Sequence, residues 1–304
     1  MTERNRLMRL AESIPRSRTL FDEPMCRHTS FRIGGPADLL VIPANLEDLR
    51  KTVGFCIDNQ VPLFVMGSGT NLLVKDGGIR GVVAKLSGTL DHIRFDGDLV
   101  TAGSGARLAE LSRQAMEHGL SGLEFACGIP GSVGGAVVMN AGAYDGEMKD
   151  VVRSVTVLSR DEGLVTIDAG EMDFGYRRSR PQDTGDIVVE AVMSLIPGDR
   201  ARIASRMEEL ERRRREKQPL DLPSAGSVFK RPEGHYAGTL IEKAGLKGMS
   251  VGGARVSELH AGFIVNTGGA TAKDVLRLIE IVRDEVMRRF GVLLTPEIRI
   301  VGED

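Results

Sequence analysis

The 304-residue sequence contains no tryptophan and only three tyrosines. Its three cysteines, Cys26, Cys56 and Cys127, are odd in number, lie far apart and never form C-x-x-C. That argues against a zinc ribbon or a redox pair and fits free thiols in a reducing compartment. The five histidines, His28, His92, His118, His235 and His260, show no H-E-x-x-H or other ligand spacing, so no metal is expected. No apolar run approaches the ~18 residues of a membrane span. The opening MTERNRLMRLAESIPRSR lacks the apolar core of a signal peptide. Neither charge is in excess: 40 Lys and Arg against 42 Asp and Glu leave a formal charge of −2. Nothing in that balance calls for nucleic acid or an anionic membrane as partner. The expectation is a cytoplasmic protein with no membrane, nucleic-acid or metal partner.

Glycine, by contrast, is plentiful, at 37 residues. GIPGSVGGAVVMNAGAY, residues 128–144, holds much of it and carries no full charge. It is not a P-loop, because no Lys-Ser or Lys-Thr pair follows the glycines. The spacing also differs from the G-x-G-x-x-G dinucleotide fingerprint. A second such segment, GSGTN at 67–71, follows an apolar strand. Backbone amides in such turns form nests for phosphate, and Ser68, Thr70 and Asn71 add side-chain donors. A pyrophosphate between the two segments would need no lysine. The residues alone leave open a tight turn into a buried element for 128–135 and a hairpin turn for 67–71.

The elements can be read in outline. Residues 1–30 suggest a short helix and an arm, and DLLVIPA a strand. Asn45 caps a helix over LEDLRKTVGFCIDNQ, with Leu46, Leu49, Val53 and Ile57 inward. PLFVMGSGTNLLV reads as strand, glycine turn, strand, and GVVAKL as another strand, so the opening third is βαβ plus extra strands. HIRF and LVTAGSG form a hairpin, RLAELSRQAMEHGL a helix, and 151–172 a second hairpin turning at Asp161–Gly163. DIVVEAVMSLIP is a strand ended by Pro197. A charged helix follows from 198, with Ile203, Met207 and Leu210 inward. Its Arg212–Arg215 run reads as a solvated helix end, with polyanion binding as the alternative. A capping box at Thr271–Asp274 opens a helix carrying Val275, Leu278, Val282, Val286 and Phe290 to Gly291. VLLTPEIRIVG reads as a final strand.

Three further places carry candidate chemistry. FGYRRSR, residues 174–180, sets arginines beside a tyrosine, and a guanidinium fork suits a planar carboxylate. A plain surface turn remains open there. SAGSVFKRP, residues 224–232, offers Ser227 without the G-x-S-x-G context of a hydrolase nucleophile, leaving proton donation or phosphate binding. TPEIRI places Glu297 between Pro296 and Ile298, which makes it a candidate for a raised pKa. An edge glutamate in solvent fits the residues equally well.

HTSFRIGGPAD, VMGSGTNLLV, GIPGSVGGAVVMNAGAYDGE, FGYRRS, SAGSVFKRPEGHYAGTLIEKAGLKG, HAGFIVNTGGATAKDV and TPEIRIVG, in this order, resemble the MurB family of FAD-dependent reductases. The resemblance runs from about residue 20 to 302, and seven motifs in register are highly specific. It implies an α+β chain: a two-part FAD-binding fold of the vanillyl-alcohol oxidase type plus a C-terminal α+β substrate-binding domain. The expected parts are 1–86 joined by the strand 292–304, then 87–197, then 198–291. FAD, bound without a covalent link, would lie against Gly67, Ser68, Gly69, Thr70, Asn71, Gly128, Ile129, Pro130, Gly131, Ser132 and Gly134. Arg177, Ser227 and Glu297 match the family's catalytic arginine, proton donor and catalytic glutamate. Tyr144 matches a tyrosine near the substrate phosphates. Arg231 stands where the longer class of the family has asparagine, which would add positive charge near the diphosphate. No inserted tyrosine-bearing loop lies between Arg177 and Ser227, as in the shorter class. The implied reaction reduces UDP-N-acetylglucosamine enolpyruvate with NADPH in peptidoglycan precursor synthesis, by a monomeric enzyme. A flavin oxidase of the same fold and a non-catalytic sugar-nucleotide-binding protein are the alternatives.

Overall fold

Short-range signals place the first elements. In a computed structural model that describes residues 2–304, Thr2 caps helix α1 (Glu3–Ser13), its hydroxyl accepting from the Asn5 amide at 3.4 Å. Asn45 caps α2 (Leu46–Asp58) through the Asp48 amide at 2.9 Å. Helix α2 buries Leu49, Val53, Thr52 and Cys56, whereas Ile57, expected inward, is 47% exposed. The true stripe is 49, 52, 53 and 56, so Ile57 falls beyond its edge. Helices α3 (Leu108–Glu117), α4 (Val133–Val138), α5 (Pro181–Thr184) and α6 (Arg200–Lys217) follow.

The chain divides into two compact units. The first comprises 1–20, 39–68 and 81–214; the second comprises 21–38, 69–80 and 215–304. This cuts the chain differently from the three expected parts. Most of α6, up to Arg214, stays with the first unit because Ile203, Met207 and Leu210 bury themselves with Cys127 and Met116.

A five-stranded antiparallel sheet organises the first unit, in the order Gly163–Asp168, Val152–Ser159, Ile187–Ser194, Leu99–Gly103, Ile93–Asp96. One face sets Val155, Val157, Ala191, Met193, Val100 and Ala102 against Leu108, Leu111 and Ala115 of α3 and Val133, Ala136 and Val137 of α4. A register shift opposite Thr156 and Val157 leaves Val189 as the extra residue in Ile187–Ser194, and strand alternation turns Leu158 to the other face. There it joins Ile187, Val189, Leu49, Val53, Ala84 and Leu86. Burying one such leucine or valine contributes about 1.5–3 kcal/mol. Both faces are therefore covered, which rigidifies the loops at the sheet's ends. A four-stranded sheet runs Arg18–Pro24, Pro36–Ile42, Ile79–Lys85, Leu63–Met66. Its last two strands are parallel, with Leu63 opposite Val82, and α2 links Pro36–Ile42 to Leu63–Met66, with Ile79–Lys85 lying between those two strands in the sheet.

The second unit has a four-stranded sheet ordered Ser224–Ser227, Phe263–Asn266, Ala254–Val256, Ser250–Val251, all antiparallel. Helices α7 (Ala237–Lys243) and α8 (Ala272–Phe290) share its core with Phe31, Ile33 and Leu73. The Thr271–Asp274 capping box forms, and Gly291 ends α8 at φ 66°. Phe290, expected inward, is 38% exposed. The final strand is shorter than expected: only Arg299–Val301 pairs, in parallel, with Leu72–Val74. Residues 67–71 are thus no hairpin turn, because the strands on either side enter different sheets. No described helix is long and apolar enough to cross a membrane, and the three cysteines are unpaired.

Candidate active site

Two glycine-rich segments meet in the first unit. A Cβ on Gly67 would run into Ser132 Oγ. Ser132 is buried and caps α4, accepting from the Gly135 amide at 3.5 Å. Residues 131–133 run antiparallel to 106–108, with Leu108 N–H donating to Gly131 O at 3.1 Å and Val133 N–H to Ala106 O at 2.9 Å. In that pattern the intervening pair, Arg107 and Ser132, turns its amides outward. Gly131 sits at φ +144°, which strains any other residue. Gly134 would bring a Cβ within 2.7 Å of Ser104 Cβ. Much of this glycine therefore serves close backbone packing. Ser68 Oγ bonds Ser87 Oγ at 3.1 Å beside the same turn.

Arg214 of α6 completes this region. A Cβ on Gly128 would lie 3.0 Å from Arg214 Cδ and 3.3 Å from its Nη1. Burial pushes this guanidinium's pKa down, while the nearby Tyr144 and Cys127 pull it back up. Tyr144 donates to the Leu210 carbonyl at 2.9 Å, and burial raises its own pKa. Among the described residues no carboxylate pairs with Arg214. A desolvated cation without a counter-ion favours an anionic ligand. Outward amides, serine hydroxyls and this guanidinium fit the pyrophosphate of a flavin dinucleotide. The sequence reading took the arginine run as solvated and missed this residue. The signal was present: 203, 207, 210 and 214 follow one helical stripe, and Arg214 extends its buried face.

Arg177 lies in a two-residue turn of the first unit. Gly175 and Arg178 exchange hydrogen bonds at 3.0 and 3.2 Å around Tyr176 and Arg177. Arg177 takes φ +56°, a conformation costing about 1–2 kcal/mol for a side chain of this kind. Its Nη2 donates to Gly142 O at 3.2 Å, and its Cζ lies 5.3 Å from the Tyr176 ring centroid. Gln182 Nε2 holds the Arg177 carbonyl at 3.1 Å and the Val138 carbonyl at 2.6 Å. Ser179 Oγ bonds that same Val138 carbonyl at 2.7 Å. The turn is thereby tied to the end of α4.

In the second unit, Ser227 ends its strand after Gly226, whose φ is +79° at an irregular register. Its hydroxyl donates to Phe229 O at 3.2 Å. Val228 N–H bonds Gly262 O at 2.8 Å, and Glu297 N–H bonds Val228 O at 2.7 Å. Ser227 and Glu297 therefore stand on directly bonded chains. Asn71 joins them: its Nδ2 donates to Glu297 O at 3.4 Å and its carbonyl accepts from Arg299 N–H at 3.0 Å. Gly69 and Thr70 are held by Ser30, whose amide donates to Gly69 O at 3.1 Å and whose hydroxyl bonds Ser224 O at 2.7 Å and Thr70 O at 3.5 Å. His260, which histidine spacing did not single out, is a neighbour of the serine. A Cβ on Gly262 would lie 3.1 Å from His260 Nδ1 and 3.4 Å from Ser227 Oγ. Burial lowers the His260 pKa from 6.5, and its Nδ1 accepts from Gly262 N–H at 3.1 Å, so at neutral pH the ring is uncharged. Arg231 is exposed and stacks on Tyr236, Cζ to centroid 4.1 Å.

The α+β architecture and the glycine and serine cradle beside Arg214 define a flavoprotein, and residues 37–168 match the profile described as FAD binding domain. Residues 218–301 match that of the UDP-N-acetylenolpyruvoylglucosamine reductase C-terminal domain. The chain is 51% identical to the UDP-N-acetylenolpyruvoylglucosamine reductase of Clostridium botulinum strain Hall over 301 residues, covering 99% of this chain and 98% of that one. It is 52% identical over 295 residues to the same-named protein of Caldanaerobacter subterraneus subsp. tengcongensis, covering 97% of each. The crystal structure of UDP-N-acetylenolpyruvylglucosamine reductase (MurB) from Thermus caldophilus superposes with a TM-score of 0.80 at 36% identity, covering 94% of this chain and 99% of that one. The chain belongs to the UDP-N-acetylenolpyruvoylglucosamine reductase family. It is an FAD-dependent oxidoreductase with NADPH as co-substrate.

Proposed function

We infer that this chain reduces UDP-N-acetylglucosamine enolpyruvate to UDP-N-acetylmuramate, with Arg177, Ser227 and Glu297 carrying the second half of the reaction. The observation that supports the site is the 2.7 Å bond from Glu297 N–H to Val228 O, which sets a carboxyl group and a serine hydroxyl on paired chains. When bound, FAD would supply the hydride chemistry between NADPH and the terminal carbon of the enol ether. Charge then grows on the adjacent carbon and spreads into the substrate carboxylate.

Arg177 supplies fixed donors to that developing charge. Its carrier turn is already fixed, so little reorganisation is needed when substrate arrives. Glu297 can donate to that charge as a carboxylic acid, whereas a carboxylate would repel it. Ser227 gives its proton to the adjacent carbon. A serine hydroxyl is a weak acid, and the site must supply the compensating proton through its polar neighbours; neutral His260 is the nearest ring. Arg231, with Tyr236 beneath it, receives the diphosphate, and Tyr144 lies near the phosphates. Gly67–Asn71, Gly128–Ser132, Gly134 and Arg214 hold the flavin. On this reading 1–86 with 292–304 and 87–197 form the two parts of the flavin-binding fold, and 198–291 the substrate-binding part. The protein acts as a monomer in the cytoplasm.

Anaerobic flavin spectroscopy tests this. NADPH should bleach the protein, and the enolpyruvyl sugar nucleotide should restore the colour. Recovery with oxygen alone would keep the flavin and overturn the substrate.

A further inference from the structure

Asn140 is fully buried, takes φ +40° and uses its carboxamide three ways. Its Oδ1 accepts from Lys149 N–H at 2.9 Å. Its Nδ2 donates to Glu147 Oε2 at 2.7 Å and to Gly175 O at 3.0 Å. Those partners belong to two different pieces of the arginine's environment. Gly175 closes the turn that carries Arg177, because it exchanges backbone bonds with Arg178. Glu147 pairs with Gly142 across a short antiparallel ladder, and Gly142 O is the acceptor for Arg177 Nη2. One carboxamide therefore fixes both the backbone under Arg177 and the strand bearing the carbonyl that orients its guanidinium.

Asparagine suits the position for two reasons. Its short side chain tolerates a left-handed backbone better than most. It also offers an acceptor and two donors on one planar group. Aspartate would place an oxygen against the Glu147 carboxylate and the Gly175 carbonyl. Leucine would remove all three of these hydrogen bonds.

We propose that Asn140 is a positioning residue for Arg177, acting on the step in which the enolpyruvyl group is reduced and not on the step that consumes NADPH. This rests on the reading of Arg177 given above. That reading gives Arg177 a role in the substrate half alone, so only that half should sense a displaced guanidinium.

The test measures the two half-reactions separately by anaerobic stopped flow in the holoenzyme. The variants are Asn140→Ala, Arg177→Ala, the double variant, and Asn140→Asp combined with Glu147→Gln. The last reverses the bond to residue 147, relieves its charge repulsion and protects the fold, yet leaves Gly175 O with the Arg178 amide and no carboxamide donor. Amide exchange of residues 174–179 in FAD-free protein gives a readout independent of turnover. Asn140→Ala is expected to slow flavin reoxidation by substrate about 30–100-fold, with reduction by NADPH changed less than threefold. In the Arg177→Ala background the same substitution should cost less than threefold further, because its target is gone. The Asn140→Asp, Glu147→Gln pair should keep melting near wild type, exchange faster at Arg178 and remain slow in the substrate half. Equal losses in both half-reactions, or full additivity with Arg177→Ala, would overturn the proposal. If Arg177→Ala itself leaves reoxidation intact, the reading of Arg177 fails, and the proposal with it. If Arg177→Ala is slow while both Asn140 variants are normal, only the proposal fails.

Discussion

The two units hold the residues proposed for catalysis by different means. In the first, Arg177 is pinned by side chains: Gln182 on its own carbonyl, Ser179 on Val138 O, and Asn140 on Gly175 O. In the second, Ser227 and Glu297 are held by main chain: Val228 between Gly262 and Glu297, and Lys230 N–H on Thr295 O at 2.9 Å. A main-chain ladder survives replacement of its side chains, whereas a side-chain clamp does not. The first unit should therefore transmit distant substitutions to its arginine. The second should lose function mainly when a reacting side chain is itself removed.

The largest expected effect falls on Ser227→Ala. Flavin reduction by NADPH should stay within a few-fold, while reoxidation by substrate drops about a thousandfold, equivalent to ~4 kcal/mol of transition-state stabilisation. Equal losses in single-turnover traces of both halves would remove Ser227 from proton donation.

Alkaline pH should separate the units next. Burial raises the Cys56 thiol from 9.0 to about 11 and also raises Cys127, and both lie in the first unit. The unfolded chain ionises these thiols first. The stability they lend the fold is thus present below pH 9 and is lost as pH rises from 9 to about 11. For Cys56 the loss is about 2–3 kcal/mol. Hydrogen exchange at pH 10 should open α2 before α8, and Cys56→Ala should flatten that dependence. A third, smaller contrast is Gln182→Ala, expected to slow the substrate half about three- to tenfold by freeing the Arg177 and Val138 carbonyls, at ~1 kcal/mol per lost bond. The smallest is Lys230→Ala, expected to change it less than twofold. If Lys230→Ala proved the more damaging of the two, the contrast between clamp and ladder would fail.

What could be read before folding follows the same division. Helix caps at Asn45 and Thr271 are decided within four residues, and both were legible. So were the hairpins, where a turn and an alternating pattern agree. Residues 67–71 looked equally like a hairpin or a phosphate turn, because local sequence does not say that the flanking strands join different sheets. The two glycine segments were expected to face each other, and Gly67 does press on Ser132. The family resemblance supplied Ser227, Arg177 and Glu297. Their supports were harder to find. Asn140 reads as one polar residue in a glycine-rich run until residues 147, 149 and 175 close around it. Arg214 hid in a run of four like charges, though the helical stripe marked it. Phe290 and Ile57 failed the opposite way: apolar character suggested burial, but each lies at the edge of a stripe.

The pairing of Leu72–Val74 with Arg299–Val301 has a consequence for synthesis. Asn71 waits on Glu297, Phe31 O on Asn266, and Ser30 on Ser224, contacts separated by 226, 235 and 194 positions. A chain emerging from the ribosome can close the five-stranded sheet once residue 194 is free. The ladder beneath Ser227 and Glu297 must wait for the last dozen residues. Contacts of such long range form late and slowly. The nascent molecule therefore acquires the glycine-rich 128–135 segment well before the main chain around Ser227 and Glu297, and for that interval its early segments 21–38 and 69–80 are clients without a host.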